Sequence, residues 1–408
     1  MLRLASGLAL TLALALALPA ADWPQWRGPN RDGVSKDTGL LQEWPGGGPK
    51  LRWKAADIGT GYSSPAVAGG KVYVQTTKDK DEFALCLDEK TGKEVWKAPI
   101  GKVGPNKGPQ YPGTRATPTV DGDRLYCLAS DGKLACLGTD GKPKWARDLA
   151  RDFKGSVGNW AYTESVLVDG DKVVCTPGGS EATLAALDKK TGETVWKCAV
   201  PGGDTADYAS IMALEAGGAR QYVQFMRKGL VACDAKTGKF LWRYDGTLDP
   251  GANMITPVVY EDKVYVSSRS GGGMVQVKAD GGKAAAKQLY LEKALTGGLG
   301  GAVLVDGHLY GGTATGMFCA EFATGKVKWT EQPPGNVSVC FADGRVYARS
   351  HRTGDVILVE PNPKEFVEKG RLKQPERSKV PAWPHPVVAN GGLYLRDMDV
   401  LLCYDVKK

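Results

Sequence analysis

A ten-residue phrase recurs along the chain, and its repetition constrains the fold more than any other feature of the sequence. The phrase reads LDEKTGKEVW at residues 87–96, LDKKTGETVW at 187–196, CDAKTGKFLW at 233–242 and AEFATGKVKW at 320–329. Aspartate and threonine side chains hydrogen-bond the backbone of tight turns, and glycine takes the left-handed conformation that such turns need. Each copy therefore predicts a strand, a tight turn and a second strand that carries a tryptophan.

A β-hairpin is predicted upstream of each phrase. Apolar, β-rich runs flank short turns such as VDGD, ADGR and ANGG, and glycine-containing pairs of this kind suit hairpin turns. Eight such turns occur, 37 to 52 residues apart, and are marked by Gly70, Gly122, Gly170, Gly218, Asp262, Gly307, Gly344 and Gly391. A period of this length built from strands is typical of propeller blades rather than of helical solenoids.

The two ends of the chain predict how the ring of blades closes. The last repeat, ending LLCYDVKK, stops after its third strand, and a lone Trp-bearing strand, LRWKA at residues 51–55, precedes the first hairpin. This strand would complete the eighth blade and close the ring, which removes exposed sheet edges. We therefore predict an all-β fold: a single eight-bladed β-propeller at residues 51–408, closed by an N-terminal strand. Blades five and seven lack the Trp phrase, so their outer strands are the least well defined.

The recurring tryptophans are predicted to be structural. Because they return at one place in each repeat, they are expected to wedge between neighbouring blades, where each buries a large apolar area. The residues are Trp53, Trp96, Trp145, Trp196, Trp242 and Trp329.

Residues 1–21 have the layout of a secretory signal peptide. A basic start at Arg3 is followed by an Ala/Leu-rich run and by the small residues of LPAA. The apolar run is too short for a comfortable membrane span, and no later stretch reaches its length. The first cysteine is Cys86, so the acylated cysteine of a bacterial lipoprotein is missing. We expect an exported protein without a transmembrane segment, either periplasmic or secreted.

Residues 22–50 are predicted to form an arm outside the repeats. The segment is rich in Trp, Pro and Gly and shows little periodicity. We expect it to pack on the propeller through Trp23 and Trp26.

The nine cysteines are interpreted mainly as small buried apolar residues, because most precede the repeated turn at a position that alanine holds in other copies. One pair differs. A two-residue turn at Asp131-Gly132 would place Cys127 directly across from Cys136 in a non-hydrogen-bonded pair, where a bridge can form. We hypothesise a Cys127–Cys136 disulfide, with two free thiols as the alternative.

The charge pattern gives no sign of a nucleic-acid site. The net charge of +8 is spread over 53 basic and 45 acidic residues, and no basic stripe is interleaved with aromatic residues. His308, His351 and His385 are too far apart in sequence to suggest a metal site. We therefore expect no nucleic-acid partner and no bound metal.

The repeated [Leu/Cys]-x-Asp-x-Lys-Thr-Gly-x-x-x-Trp phrase resembles the tryptophan motif of the pyrroloquinoline-quinone (PQQ)-like propellers. That family includes eight-bladed quinoprotein dehydrogenases and non-catalytic BamB-type outer-membrane assembly proteins. The opening DWPQWRGPNRDGVS is also similar to exported quinone-like propeller proteins of planctomycete-type bacteria. The resemblance covers nearly the whole mature chain and implies the fold, whereas function depends on the sites that the fold carries.

The resemblance leaves two functions open. A quinoprotein dehydrogenase would imply PQQ over the axis, a Ca²⁺ ion held by oxygen ligands and a carboxylate base. In that case Asp207 and Glu164 would be the catalytic and ion-binding residues, together with Asn253. The adjacent cysteines and the Cys-x-x-Cys-His haem motif of such enzymes are both missing. We therefore expect no cofactor and reserve PQQ and Ca²⁺ for this alternative.

The candidate binding residues lie in the segments just before each innermost strand, which are expected to face the axis at one rim. Several of these segments carry polar or aromatic groups that a plain linker does not need: Arg115, Trp160, Tyr162, Glu164, Asp207, Tyr208, Asn253 and His385. The alternative to a ligand site is a structural ion pair between Arg115 and Glu164 that ties neighbouring blades.

The leading hypothesis is an exported, monomeric, non-catalytic propeller that binds a protein or peptide partner in the cell envelope. A closed ring offers a rigid platform for binding by loops or by strand addition. The alternatives are a PQQ-dependent alcohol or sugar dehydrogenase and a polysaccharide- or envelope-binding module.

Overall fold

The chain folds into eight four-stranded antiparallel sheets, the blades of an all-β propeller. The structure is a computed structural model that describes residues 21–107, 111, 113–280, 283–332 and 334–408. The predicted eight-bladed fold is confirmed. The predicted signal peptide at 1–21 lies almost entirely outside the described residues, and the predicted division into leader, arm and propeller stays a prediction.

Blades one to four follow one another along the chain, each running from the axis to the rim. Their strands are β2 (Ala66–Ala68), β3 (Lys71–Lys78), β4 (Asp81–Asp88) and β5 (Glu94–Lys102); β6 (Thr119–Asp121), β7 (Arg124–Leu128), β8 (Lys133–Gly138) and β9 (Pro143–Asp148); β10 (Leu167–Asp169), β11 (Lys172–Cys175), β12 (Leu184–Asp188) and β13 (Thr194–Cys198); β14 (Met212–Ala216), β15 (Ala219–Met226), β16 (Gly229–Asp234) and β17 (Phe240–Tyr244).

Blades five to eight continue the order, and the outer strands of blades five and seven both form. The strands are β18 (Val258–Tyr260), β19 (Lys263–Ser268), β20 (Gly271–Asp280) and β21 (Lys283–Glu292); β22 (Ala302–Val305), β23 (His308–Gly312), β24 (Met317–Glu321) and β25 (Val327–Glu331); β26 (Val337–Ala342), β27 (Arg345–Ser350), β28 (Val356–Glu360) and β29 (Val367–Leu372); β30 (Val387–Ala389), β31 (Gly392–Asp397), β32 (Val400–Asp405) and β1 (Lys50–Ala55).

The eighth blade joins the two ends of the chain, as predicted. Strand β1 pairs antiparallel with β32, and Trp53 lies opposite Cys403. Arg52 reinforces this seam by donating to Asp405 at 2.7 Å and to the Gly391 carbonyl at 2.7 Å.

A single helix, α1 (Leu149–Asp152), is assigned among the described residues. Asp148 caps its N-terminus by accepting a hydrogen bond from the Arg151 backbone nitrogen. No described helix combines the length and apolar character required to cross a membrane.

The repeated phrase is explained by its turn. Asp88 Oδ1 accepts hydrogen bonds from both the backbone nitrogen and the hydroxyl of Thr91, which holds the turn closed. Gly92 follows at φ 68°, and a Cβ on it would lie 2.5 Å from the Trp53 ring of the neighbouring blade. Glycine is therefore required at position 92 for two reasons: the backbone is left-handed, and the tryptophan ring fills the space that a side chain would need.

Most of the recurring tryptophans link their own blade to the next one, as their recurrence predicted. Five of them donate from Nε1 to a carbonyl of the following blade's turn: Trp53 to Glu89, Trp96 to Thr139, Trp145 to Lys189, Trp196 to Ala235 and Trp329 to Asn362. Tyr290 does the same in blade five, where its hydroxyl donates to Phe322. Trp242 differs, because it donates to Gln221 of its own blade at 2.7 Å.

Blade seven has no tryptophan of its own at this place, and the N-terminal arm supplies one. Gly370 lies opposite Leu358, in the register where other blades carry tryptophan. Trp44 covers this glycine. Its backbone nitrogen donates to the Lys369 carbonyl at 2.9 Å, and its ring lies 5.8 Å from that of Tyr347. The arm thus supplies the tryptophan that the outer strand of blade seven lacks, a feature that the sequence analysis missed.

The register on which the Cys127–Cys136 disulfide was predicted is wrong. Cys127 lies opposite Ala135, and Cys136 lies opposite Tyr126. The Ala129 backbone nitrogen donates to the Lys133 carbonyl, which leaves three residues, 130–132, in the turn rather than two. The two side chains consequently belong to different core clusters on opposite faces of the blade. Both thiols are free in the structure.

Candidate functional site

A cavity of about 320 Å³ lies on the ring axis at the end where the innermost strands begin. Among the described residues, its lining comes from the segments before the innermost strands of seven blades, and from the arm. The lining residues are Trp26, Tyr62, Ser64, Tyr111, Arg115, Trp160, Thr163, Ser165, Tyr208, Ser210, Met254, Leu299, Trp383 and His385.

The arm forms the floor of this cavity. Trp23 pairs with Val67 of blade one, and Trp26 Nε1 donates to the Thr256 hydroxyl of blade five at 2.9 Å. Blades one and five lie on opposite sides of an eight-membered ring, so the arm crosses the axis. The Trp26 ring meets His385 edge-on at 4.6 Å.

Two buried arginines anchor the floor. Arg31 donates to the Ser165 carbonyl at 2.7 Å, and Arg27 donates to the Ala302 carbonyl at 2.6 Å. Burial lowers the pKa of each guanidinium to about 10, so both stay protonated at neutral pH. These contacts tie the arm to blades three and six, and the floor is rigid as a result.

Aromatic rings form the wall of the cavity. The Tyr62 ring lies 4.8 Å from that of Trp383, and Tyr111 meets Trp383 edge-on at 4.7 Å. Farther round, Trp160 and Tyr208 pack edge-to-face at 5.4 Å. Such rings offer stacking surfaces with well-defined orientations, which favours flat or apolar ligand groups.

Arg115 is the single cation among the described lining residues. It donates to the Tyr111 carbonyl at 2.6 Å and to the Trp160 carbonyl at 3.2 Å, and its guanidinium lies 6.0 Å from the Tyr62 ring centre. No described carboxylate lies within ion-pair distance of it. Burial lowers the pKa of Arg115, although the nearby Tyr62 opposes that shift.

The predicted ion pair between Arg115 and Glu164 does not form. Both Glu164 carboxylate oxygens face Thr176, accepting from its backbone nitrogen at 2.7 Å and from its hydroxyl at 2.9 Å. Burial raises the pKa of Glu164 to about 7, against these hydrogen bonds and the Arg31 charge. Glu164 is therefore a buried structural group that supports blade three.

Asp207 and Asn253 lie together, as the sequence suggested, but they join neighbouring loops instead of lining the cavity. Asp207 accepts from the Asn253 backbone nitrogen at 2.7 Å and faces Arg227 at 3.4 Å. The Asn253 amide donates to backbone carbonyls that include that of Met226 at 3.1 Å. Burial raises the pKa of Asp207 to about 7. Tyr162 is likewise structural, because its hydroxyl donates to the Pro177 carbonyl.

The structure thus divides the eight predicted rim residues in half. Four line the cavity: Arg115, Trp160, Tyr208 and His385. The other four, Tyr162, Glu164, Asp207 and Asn253, lie outside the lining. The sequence analysis missed Tyr62, Tyr111 and Trp383 as wall residues and assigned Trp26 only to packing. Tyr62 and Trp383 stand in the same pre-strand segments as the predicted residues, so their position was an available signal.

The lining does not fit a PQQ–calcium pair. PQQ bears three carboxylates, whereas the described lining offers one cation, Arg115, and no carboxylate that would hold Ca²⁺. No cluster of three or more potential metal-ligating side chains occurs in the described part of the chain. The aromatic wall would stack a planar ring, but the charges and ion ligands are not in place.

A family model described as "Outer membrane protein assembly factor BamB" matches residues 80–331, more than half of the chain. The chain belongs to this family of PQQ-like β-propellers. Its eight blades and its tryptophan turns are the family's framework, as the resemblance implied.

Two solved structures of this propeller class are similar in fold. BamB from Moraxella catarrhalis is 17% identical with a TM-score of 0.59, and the match covers 84% of this chain and 94% of that one. The quinohemoprotein alcohol dehydrogenase ADHIIG from Pseudomonas putida HK5 is 13% identical with a TM-score of 0.65, covering 95% and 80%. At such identities the likeness shows the fold alone.

One curated relative is similar over a shorter stretch. A polyvinylalcohol dehydrogenase from a Pseudomonas species is 32% identical over 134 residues, which are 32% of this chain. The matched stretch is 19% of that relative, so the similarity spans about a fifth of the relative's length.

The buried Glu164 carboxyl predicts a local pH dependence of stability. Its folded-state pKa of about 7 lies above the ordinary value of 4.5, so the folded protein holds a proton that the unfolded chain releases. Stability from this group is therefore complete below about pH 4.5 and is lost as the pH rises through 7. Between pH 5 and pH 8 the wild type should lose unfolding free energy from this group. Glu164→Gln, which mimics the protonated form, should lose roughly 2–3 kcal/mol less over the same pH range.

Urea unfolding at several pH values measures this difference. The exposed Glu94→Gln substitution is the matched control and should leave the wild-type slope unchanged. Parallel curves for wild type and Glu164→Gln would show that Glu164 stays ionised in the folded protein.

Proposed function

We propose that this protein is a non-catalytic binding protein of the cell envelope, which receives a partner in the cavity at the open end of its ring. The observation that carries the proposal is the composition of that cavity. Its floor is the chain's own arm, its wall is aromatic, and its described lining has no carboxylate to act as a base or ion ligand.

The geometry suits recognition. Trp160 is held by an edge-to-face contact with Tyr208, and Trp383 is held by contacts with Tyr62 and Tyr111. Binding to preorganised side chains loses little conformational entropy, and buried aromatic residues commonly dominate binding energy. The cavity, with its aromatic wall held on a closed ring, therefore suits the binding of an apolar group of a partner.

The family supports the same reading. The matching family model is described as an assembly factor, and an assembly factor acts through protein partners. The signal-peptide layout of residues 1–21 supports export, and we propose that such a partner lies in the periplasm or outside the cell. We propose that the protein acts there as a monomeric scaffold.

A second candidate is a PQQ-dependent dehydrogenase. The similarity to part of a polyvinylalcohol dehydrogenase and the stacking surface of the aromatic wall favour it. The missing carboxylates in the lining argue against it, because hydride or proton removal from an alcohol requires a base beside the carbinol.

A dye-reduction assay separates the two functions. The purified protein is incubated with PQQ and Ca²⁺, then given ethanol, a secondary alcohol or polyvinyl alcohol with an artificial electron acceptor. We expect no turnover above that of free PQQ. Sustained turnover that falls when Trp383 is replaced by alanine would overturn the proposal.

A capture assay tests binding directly. Wild-type protein and Trp383→Ala are immobilised and exposed to an envelope extract of the organism that makes the protein. A partner should be retained by the wild type and lost from the variant, provided that both melt at similar temperatures. Equal retention would mean that the cavity is not the binding surface.

A further inference from the structure

The described lining of the cavity contains one cation, Arg115, and no carboxylate to balance its charge. Arg115 is half-buried and lines the cavity, yet among the described residues it donates its hydrogen bonds to two neutral carbonyls, those of Tyr111 and Trp160. Elsewhere in the same rim, buried carboxylates are matched by hydrogen-bond donors or by arginine, as with Asp207 and Arg227. A partly buried guanidinium that lacks an anion retains donors for one, and carboxylates are the anions that its fork geometry fits.

We propose that the cavity binds a single carboxylate joined to an apolar or aromatic body, with the carboxylate at Arg115 and the body against the aromatic wall. This inference rests on the proposed binding function and specifies the ligand of that site. The ligand chemistry has two sources: a free organic acid, or the C-terminal residue of a partner chain.

The charges around the cavity favour one negative charge rather than two or three. His385, the other titratable nitrogen in the lining, is neutral at pH 7, because burial and the Arg27 charge lower its pKa well below the ordinary value. Glu82, the carboxylate whose charge acts on Arg115, is buried outside the lining and accepts hydrogen bonds from the backbone nitrogen and the hydroxyl of Ser130. A second ligand carboxylate would meet no cation in the described lining.

The wall favours a compact apolar body. The Tyr62 ring lies 6.0 Å from the Arg115 guanidinium and 4.8 Å from the Trp383 ring, so an aliphatic or aromatic group next to the carboxylate can pack on these rings. The volume of about 320 Å³ lies at the small end of the usual range of ligand pockets, roughly 300–1,000 Å³. The cavity thus suits a small acid or one or two terminal residues rather than a long polymer.

Calorimetric titration with acid and amide pairs tests the proposal on the wild-type protein. N-acetylphenylalanine should bind at least about tenfold more tightly than N-acetylphenylalaninamide, which has the same shape but no charge, and N-acetylalanine should bind more weakly than the phenylalanine acid. Equal binding of acid and amide, or no binding of the acid at 10 mM, would overturn the proposal.

Variants assign the preference to Arg115. Arg115→Gln keeps a donor for the neighbouring carbonyls and should bind acid and amide alike, whereas the exposed Arg352→Gln should keep the wild-type preference. A preference that survives in folded Arg115→Gln would place the carboxylate elsewhere and overturn the assignment.

The source of the carboxylate follows from a second pair of probes. A pentapeptide ending in phenylalanine with a free C-terminus is compared with 3-phenylpropionate. Tighter binding of the peptide by tenfold or more identifies a chain terminus, and equal or tighter binding of 3-phenylpropionate identifies a free acid. The result is separable from the proposed function, because quinone-dependent turnover would refute the scaffold without affecting the acid-over-amide preference.

Discussion

Replacing Arg396 with methionine is expected to lower the free energy of unfolding by about 3–5 kcal/mol. Arg396 is fully buried in β31 of blade eight. Its guanidinium donates to the carbonyls of Gln75 at 2.7 Å and Gly59 at 2.9 Å, both on the blade-one side of the seam, and to Met398 at 2.9 Å. Methionine fills much of the volume but leaves these carbonyls without partners in the interior.

Urea denaturation measures the loss. Burial lowers the pKa of Arg396 to about 9, so the side chain is charged under ordinary assay conditions. The exposed Arg352→Met is the matched control and should change stability by less than about 0.5 kcal/mol. A loss below about 1 kcal/mol in Arg396→Met would mean that water replaces the guanidinium at the seam.

Replacing Trp44 with alanine should also cost about 3–5 kcal/mol, the range for truncating a large buried aromatic side chain. Trp44 is 7% exposed and covers Gly370 of blade seven, where a Cβ would lie 2.5 Å from the Trp44 Cβ. The blade's own outer strand has glycine there and offers no side chain to fill that space.

The control for this prediction is Tyr260→Ala, since Tyr260 is 51% exposed and its loss should change the unfolding midpoint little. Trp44→Phe should recover part of the lost stability. If Trp44→Ala unfolds at the wild-type urea concentration, the arm is an attachment and contributes nothing to blade seven.

Local chemistry made most of the fold predictable from the sequence. The Asp-x-x-Thr-Gly turn, closed as shown by Asp88 and Thr91, revealed the repeat, and the eight hairpin turns gave the number of blades. Register was harder to predict. The turn after Cys127 contains three residues, and the Ala129 carbonyl accepts a hydrogen bond from the Gly132 nitrogen. Because the turn is one residue longer than predicted, the two cysteines lie on opposite faces of the sheet instead of opposite each other.

Half of the predicted rim residues line the cavity, and the reason is physical. Sequence position identified the segments that reach the axis, but a polar residue in such a segment can point into the cavity or back between the blades. Arg115 does the first, and Glu164 does the second because Thr176 offers it two donors. The floor was not predictable, because Trp26 reaches the axis through tertiary contacts with blades five and eight.

Five of the recurring tryptophans, beginning with Trp53, donate to the turn of the following blade, and this pattern has a consequence for how the molecule opens. An open array of repeats frays from its two terminal units, so its amide protons exchange fastest at the ends. Here the first and last units hold each other, and no blade can detach without parting from two neighbours at once. The slowest amide protons should therefore be spread over the inner strands of all eight blades and should exchange together, through one concerted opening of the circle.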